Sequence, residues 1–166
     1  MNSRTNPFFG LLFSLALLCI APFSQARDVT LHQVTDLAQL AEEARDKKLP
    51  ILIMFSMDGC PYCVILRENY LLPMLRSGRY QNKVIIRMVK VDDYRTLTDF
   101  EGKRVSPEDF PTRYKAYVMP TMIFVDANGK EIAPRLVGIG TEGFFAGDID
   151  NAIDHAYARL HTVAIK

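Results

Sequence analysis

The chain of 166 residues carries 20 Lys and Arg against 19 Asp and Glu and is 49% hydrophobic. That size and balance predict one compact domain and exclude disordered and collagen-like chains. A formal net charge of +1 supplies no field to hold a polyanion, and the 7 Tyr and 10 Phe are not interleaved with basic clusters, so no nucleic-acid partner is expected.

Residues 1–26 hold one charge, Arg4, then an apolar stretch from Phe8 to Ile20, Pro22, and the small residues Ser24 and Ala26. The pattern predicts a secretory signal peptide cleaved before Arg27, since the stretch is shorter than the ~18 to 20 apolar residues that cross a bilayer. An uncleaved anchor is the alternative. Leu18 before Cys19 is too large for a lipid-attachment site. Cleavage removes Arg4 and Cys19, leaving 19 basic residues against 19 acidic and two of the three cysteines. An even cysteine count suits an oxidising compartment. With no Asn-X-Ser/Thr acceptor and no retention signal in Val-Ala-Ile-Lys, the expected location is the periplasm of a bacterium.

The remaining residues, 27–166, are read as one domain. Thr35 is placed to cap a helix bearing Leu37, Leu40, Ala41 and Ala44, which ends at Lys47-Lys48 before Pro50. Ile51 to Phe55 is apolar without alternation, as in a central strand covered on both faces. From Pro61 a second helix carries Val64, Leu66, Tyr70, Leu71 and Leu75, with a kink at Pro73 and a stop at Gly78. A strand from Val84 to Val91 follows. Residues 93–117, polar and containing Pro107 and Pro111, are expected to be a helical insertion or connector with a short helix capped near Ser106 or Asp109. Strands Thr121 to Val125 and Glu131 to Val137 flank Asp126-Ala127-Asn128-Gly129, a hairpin signal. A last helix, Thr141 to Leu160, aligns Phe145, Ile149, Ile153, Ala156 and Tyr157. The sum is an α/β sandwich with a mixed sheet.

Gly59-Cys60-Pro61-Tyr62-Cys63 lies where the buried strand hands over to a helix. There the free backbone N–H groups and the helix dipole favour a thiolate. A thiol of pKa ~8.5 is about 3% ionised at pH 7, and one lowered to ~6.5 about three-quarters. Pro61 suits the first helical position, and Cys63, one turn in, is the resolving thiol. A structural staple is the first alternative, although closing a four-residue loop stabilises by only ~2 kcal/mol, against nearly 5 for ~100 residues. A zinc site is the second, but no second cysteine pair exists, and His32, His155 and His161 are scattered, the last two expected to face different directions.

FSMDGCPYC after a buried strand and VMPTMIFVDANGKEI about sixty residues later resemble the thioredoxin-fold family, among its secreted thioredoxin-like thiol-disulfide oxidoreductases of the SoxW and thioredoxin-related envelope type. The resemblance covers roughly residues 30–160 and implies a thioredoxin-like three-layer α/β/α sandwich with a mixed central β-sheet. It implies that Cys60 attacks and Cys63 resolves. It makes Pro120 the cis-proline facing the disulfide and Met119 the residue whose backbone holds an extended substrate, with Pro61 and Tyr62 on the substrate side. Two positions depart from the family: Gly59 stands where Trp is usual, and Met54 where a buried acid is.

The implied function is an exported enzyme that reduces protein disulfides without metal or organic cofactor. A membrane thiol transporter of the DsbD or CcdA kind would recharge it, and it would act as a monomer. A disulfide oxidant, an isomerase, or a non-enzymatic peptide-binding or chaperone module on the same fold are the alternatives. Asp58, Arg67 and Glu68 are read as exposed, the three histidines as surface residues, and Met57, Met119 and Tyr62 as a candidate apolar rim for substrate peptide.

Overall fold

The computed structural model describes residues 29–163, so the expected leader lies outside the described residues. Helix α1 (Leu37–Lys47) buries Leu37, Leu40, Ala41 and Ala44. Its cap is Asp36 rather than Thr35, with the Asp36 carboxylate accepting the Gln39 N–H at 2.9 Å. A carboxylate at this position satisfies the orphan donor and also meets the positive helix end. Strand β1 (Ile51–Ser56) follows, with all six residues buried, because both of its faces are covered.

Helix α2 (Pro61–Ile65) runs without interruption through a π-helical segment (Leu66–Leu71) into α3 (Leu72–Ser77). At the expected kink the helix widens, and the Leu72 N–H bonds the Arg67 carbonyl five residues back. Pro73 has no N–H and crowds the carbonyl four residues before it, which a wider turn accommodates. Gly78, at φ 69°, closes the helix.

Strand β2 (Ile85–Lys90) lies parallel to β1, Ile85 opposite Ile51. The next stretch corrects an expectation, because residues 93–117 are not mainly helical. Strands β3 (Leu97–Thr98) and β4 (Arg104–Val105) form a short antiparallel ladder, and one 3-10 turn, Phe110–Tyr114, follows Asp109. The cause is local. The Asp99 carboxylate accepts the backbone N–H groups of Glu101 and Lys103 at 3.1 and 2.7 Å, which closes a turn, while Pro107 and Pro111 remove donors that an α-helix needs. The segment also belongs to the core, for Phe110 and Tyr114 pack on Phe55 with ring centres 6.0 and 6.1 Å away.

Strands β5 (Thr121–Val125) and β6 (Glu131–Val137) form the expected hairpin. In its turn the Asp126 carboxylate accepts the N–H groups of Asn128 and Lys130, and Gly129 takes φ 74°. The sheet order is β2-β1-β5-β6, with β1 antiparallel to β5. Helix α4 (Phe145–Val163) begins four residues after Thr141 and buries Phe145, Ile149, Ile153 and Ala156. Ile51, Ile53 and Phe55 pack against α1 on one side of the sheet, and Leu52 and Met54 pack beneath Leu66, Ile149 and Ile153 on the other. The architecture is the expected three-layer α/β/α sandwich around a mixed sheet. Among the described residues no helix is long and apolar enough to cross a membrane.

Candidate active site

At the carboxyl end of β1 the chain turns through residues 57–59 before Cys60. The Asp58 N–H bonds the Asp92 carboxylate at 2.8 Å, and Lys90 donates to the Asp58 carboxylate at 2.5 Å. The end of β2 therefore tethers this turn. Asp58 is exposed, as expected, and its carboxylate raises the pKa of the Lys90 ammonium by hydrogen bonding. Gly59 stands at φ 67°, a backbone conformation that a bulky indole residue would adopt only under strain.

Cys60 caps α2 from an extended conformation, and its Sγ accepts the Cys63 N–H at 3.1 Å. Pro61 occupies the first turn, where a missing N–H costs nothing. Cys60 and Cys63 are joined in a disulfide with Cα atoms 5.3 Å apart. The two sulfurs are not equivalent: Cys63 is only 3% exposed, whereas Cys60 is half-buried. A cleft of about 460 Å³ opens beside them, bordered by Met57, Cys60, Val64, Arg67 and Lys90.

The Met119–Pro120 peptide is cis. Thr121 lies opposite Phe55 in the sheet, so Pro120 flanks the end of β1 from which the Cys60 turn departs. Met119 and Cys60 pack against the same core cluster. The fold thus brings Cys60, Cys63, Met119 and Pro120 to one edge, with Pro61 and Tyr62 exposed beside them. Tyr62 is 62% exposed and Met57 44%. Tyr117 and Val118, exposed immediately before Met119, extend this apolar surface. Sequence reasoning missed them, although two large residues directly upstream of Met119-Pro120 were the available signal.

Arg67 and Glu68 pair with each other at 2.9 Å on the solvent side. His32 and His155 are exposed, while His161 bonds the Tyr157 carbonyl at 2.8 Å and stacks on its ring. His155 and His161, expected to face different directions, border one cavity at the far end of the sheet. They do so because α4 lies along that cavity's wall.

The family model of the thioredoxin-like domain matches residues 37–150. The chain belongs to the thioredoxin-like domain family and is, by that fold and its Cys-x-x-Cys pair, a thiol-disulfide oxidoreductase. The disulfide bond reductase DsbH of Chlamydia pneumoniae is 26% identical over 139 residues, a match spanning 76% of this chain and 81% of that protein. Among solved structures, a DsbH oxidoreductase superposes with a TM-score of 0.55 at 18% identity, covering 81% of this chain and 94% of that one. A poplar thioredoxin h gives 0.54 at 20% identity, covering 76% and 98%. Oxidised thioredoxin O2 from Arabidopsis thaliana gives 0.52 at 17%, covering 77% and 95%. At these identities the structural likeness is one of fold.

Proposed function

We propose that this protein reduces disulfides in exported proteins through Cys60 and Cys63. The observation that carries the reading is the asymmetry of the pair: Cys60 is half-buried at the sheet edge that also carries the cis Met119–Pro120 peptide, and Cys63 is 3% exposed. The Cys60 thiolate, stabilised by its place at the helix start and by the Cys63 N–H, attacks a substrate disulfide and expels one substrate thiolate. The Cys63 thiolate then attacks Cys60 Sγ, expels the second substrate thiolate, and leaves the Cys60–Cys63 disulfide. Two electrons pass to substrate. The departing thiolates take up the two protons released by the enzyme thiols.

Met119 and Pro120 are assigned to the substrate backbone, and Pro61 and Tyr62 to its side chains. Residues 1–26 act as an export leader and 27–166 form the working domain, with a bacterial periplasm as its location. The name of the Chlamydia pneumoniae relative, a disulfide bond reductase, supports the reducing direction and protein disulfides as substrates. In an oxidising compartment the oxidised pair needs a membrane thiol transporter to return it to the dithiol, and the protein acts as a monomer. The test is the equilibrium reduction potential of the pair in dithiothreitol and glutathione buffers, with Cys60→Ser as control. A potential near ~−270 mV upholds a reductase, and one near ~−120 mV replaces it with an oxidant. A pair that does not exchange removes the enzymatic reading of this site.

A further inference from the structure

A cavity of about 820 Å³ lies at the other end of the sheet from Cys60. It opens between the end of α1, the β5–β6 turn and the last turns of α4. Leu49, just before β1, lines it, so the six residues of β1 separate it from the redox pair, about 20 Å at ~3.3 Å per residue. Its volume lies in the range of small-molecule sites, roughly 300 to 1,000 Å³.

The floor is apolar, formed by Leu49, Ile132, Ala133 and Leu160. The rim is cationic. Arg45 is committed to the Ala127 carbonyl at 3.0 Å and sits in the last turn of α1, where a cation meets the helix dipole, and the His161 ring bonds the Tyr157 carbonyl. Lys48, Lys130 and Arg159 are different. All three are exposed, and among the described residues none has a carboxylate within ion-pair distance. The lining also holds two carboxylates. Asp126 accepts two N–H groups of its own turn, and Glu131 is paired with Arg135. Four Lys and Arg side chains thus stand against two carboxylates in the lining, an excess of positive charge beside the apolar residues.

We propose that this cavity binds an amphipathic carboxylate, a single-chain fatty-acid anion whose tail covers the apolar floor and whose head group meets Lys130, Arg159 and Lys48. A neutral lipid leaves the three cations unmatched, and a small inorganic anion leaves the floor uncovered. The site is independent of the redox pair, and so is its test.

The experiment displaces 1-anilinonaphthalene-8-sulfonate from the purified full chain with dodecanoate, in parallel with dodecyl maltoside and acetate. Dodecanoate is expected to displace the probe saturably at one site per chain, with the other two at least tenfold weaker. Charge reversal in the exposed pair, Lys130→Glu with Arg159→Glu, is expected to weaken dodecanoate at least tenfold, and Lys130→Gln with Arg159→Gln by less. Exchange of the Cys60–Cys63 disulfide with dithiothreitol stays unchanged in both variants. Absence of saturable dodecanoate binding, equal binding of dodecyl maltoside, or indifference to charge reversal each overturns the proposal.

Discussion

Asp99 is a fully buried carboxylate, at 0% exposure, inside the segment that leads to Met119 and Pro120. It accepts the Lys103 and Glu101 N–H groups at 2.7 and 3.1 Å and the Arg113 guanidinium at 2.7 Å. Replacing it with Ala leaves two backbone donors and half-exposed Arg113 without their acceptor. Hydrogen bonds to a charged partner contribute ~1.5 to 3 kcal/mol each, and exposed ion pairs no more than ~1. Because these losses are not additive, the expected cost of Asp99→Ala is about 3 to 5 kcal/mol. Asp99→Asn keeps one acceptor oxygen and is expected to cost about 1 to 2 kcal/mol. Burial alone raises the Asp99 carboxyl pKa, but the Lys103 N–H and Arg113 outweigh it and hold the group below the ordinary carboxylate range. A carboxyl depressed in the folded state contributes stability that is full above its unfolded pKa of ~3.9 and is lost as pH falls through its folded value. The stability gap between wild type and Asp99→Asn is therefore constant from pH 6 to 7 and narrows below about pH 4. Urea unfolding followed by circular dichroism measures both quantities. A cost under 1 kcal/mol for Asp99→Ala, or a gap that widens in acid, refutes the reasoning.

Other expectations are as direct. A Cβ built at Gly129 falls 2.5 Å from the Phe100 ring, and φ there is +74°, so Gly129→Ala should cost about 2 to 4 kcal/mol in urea unfolding; full retention of stability contradicts the placement of that ring. Cys63→Ser is expected to accumulate a mixed disulfide with a protein substrate on a non-reducing gel and to lose turnover by at least about a hundredfold, ~2.7 kcal/mol, whereas Cys60→Ser forms no adduct. Tyr62→Ala should lower kcat/KM for a protein disulfide about fivefold, ~1 kcal/mol, without altering exchange with dithiothreitol. An equal loss on both substrates would remove Tyr62 from the substrate surface.

Elements with a strong period were legible in the sequence. Ile51 to Phe55, the α1 stripe and the Asn-Gly turn lie where pattern and turn chemistry place them, because each is specified by residues close together in the chain. In the stretch 93–117 only the short helix after Asp109 was legible. The segment's conformation depends on Asp99, whose partner Arg113 is 14 residues away, and on Phe55, to which Phe110 and Tyr114 dock from another strand. A polar segment with two prolines gives no period from which to read such contacts. At the candidate site, Gly-Cys-Pro-Tyr-Cys announced itself by position. The tether of Asp58 to Lys90 and Asp92 did not, for it joins residues 32 and 34 apart that meet only because β1 and β2 are parallel neighbours.

Met54, at the position where a buried acid is usual in the family, lies opposite Met88 on one neighbouring strand and Met122 on the other. This uncharged row belongs to the cluster that encloses Cys63. The buried polar residues among those described are Ser56, Asp99 and Thr121, and Asp99 is committed to Arg113. Among the described residues, therefore, no buried carboxylate stands behind Cys63 to take its proton, and Asp58, which borders the cleft, is paired with Lys90. When Cys63 attacks the mixed disulfide, that proton leaves through the cleft, to water or to the departing substrate thiolate. The rate of resolution should then rise with pH through one ionisation, that of the Cys63 thiol. Stopped-flow release of a fluorescent peptide from the Cys60 mixed disulfide measures this. Met54→Asp should add a second, lower ionisation, from a carboxyl whose pKa burial pushes up, and should destabilise the fold by a few kcal/mol, about 2 to 4. Two ionisations in the wild-type profile below pH 8 would mean that another group handles the proton, and that the methionine row is not what governs the resolving step.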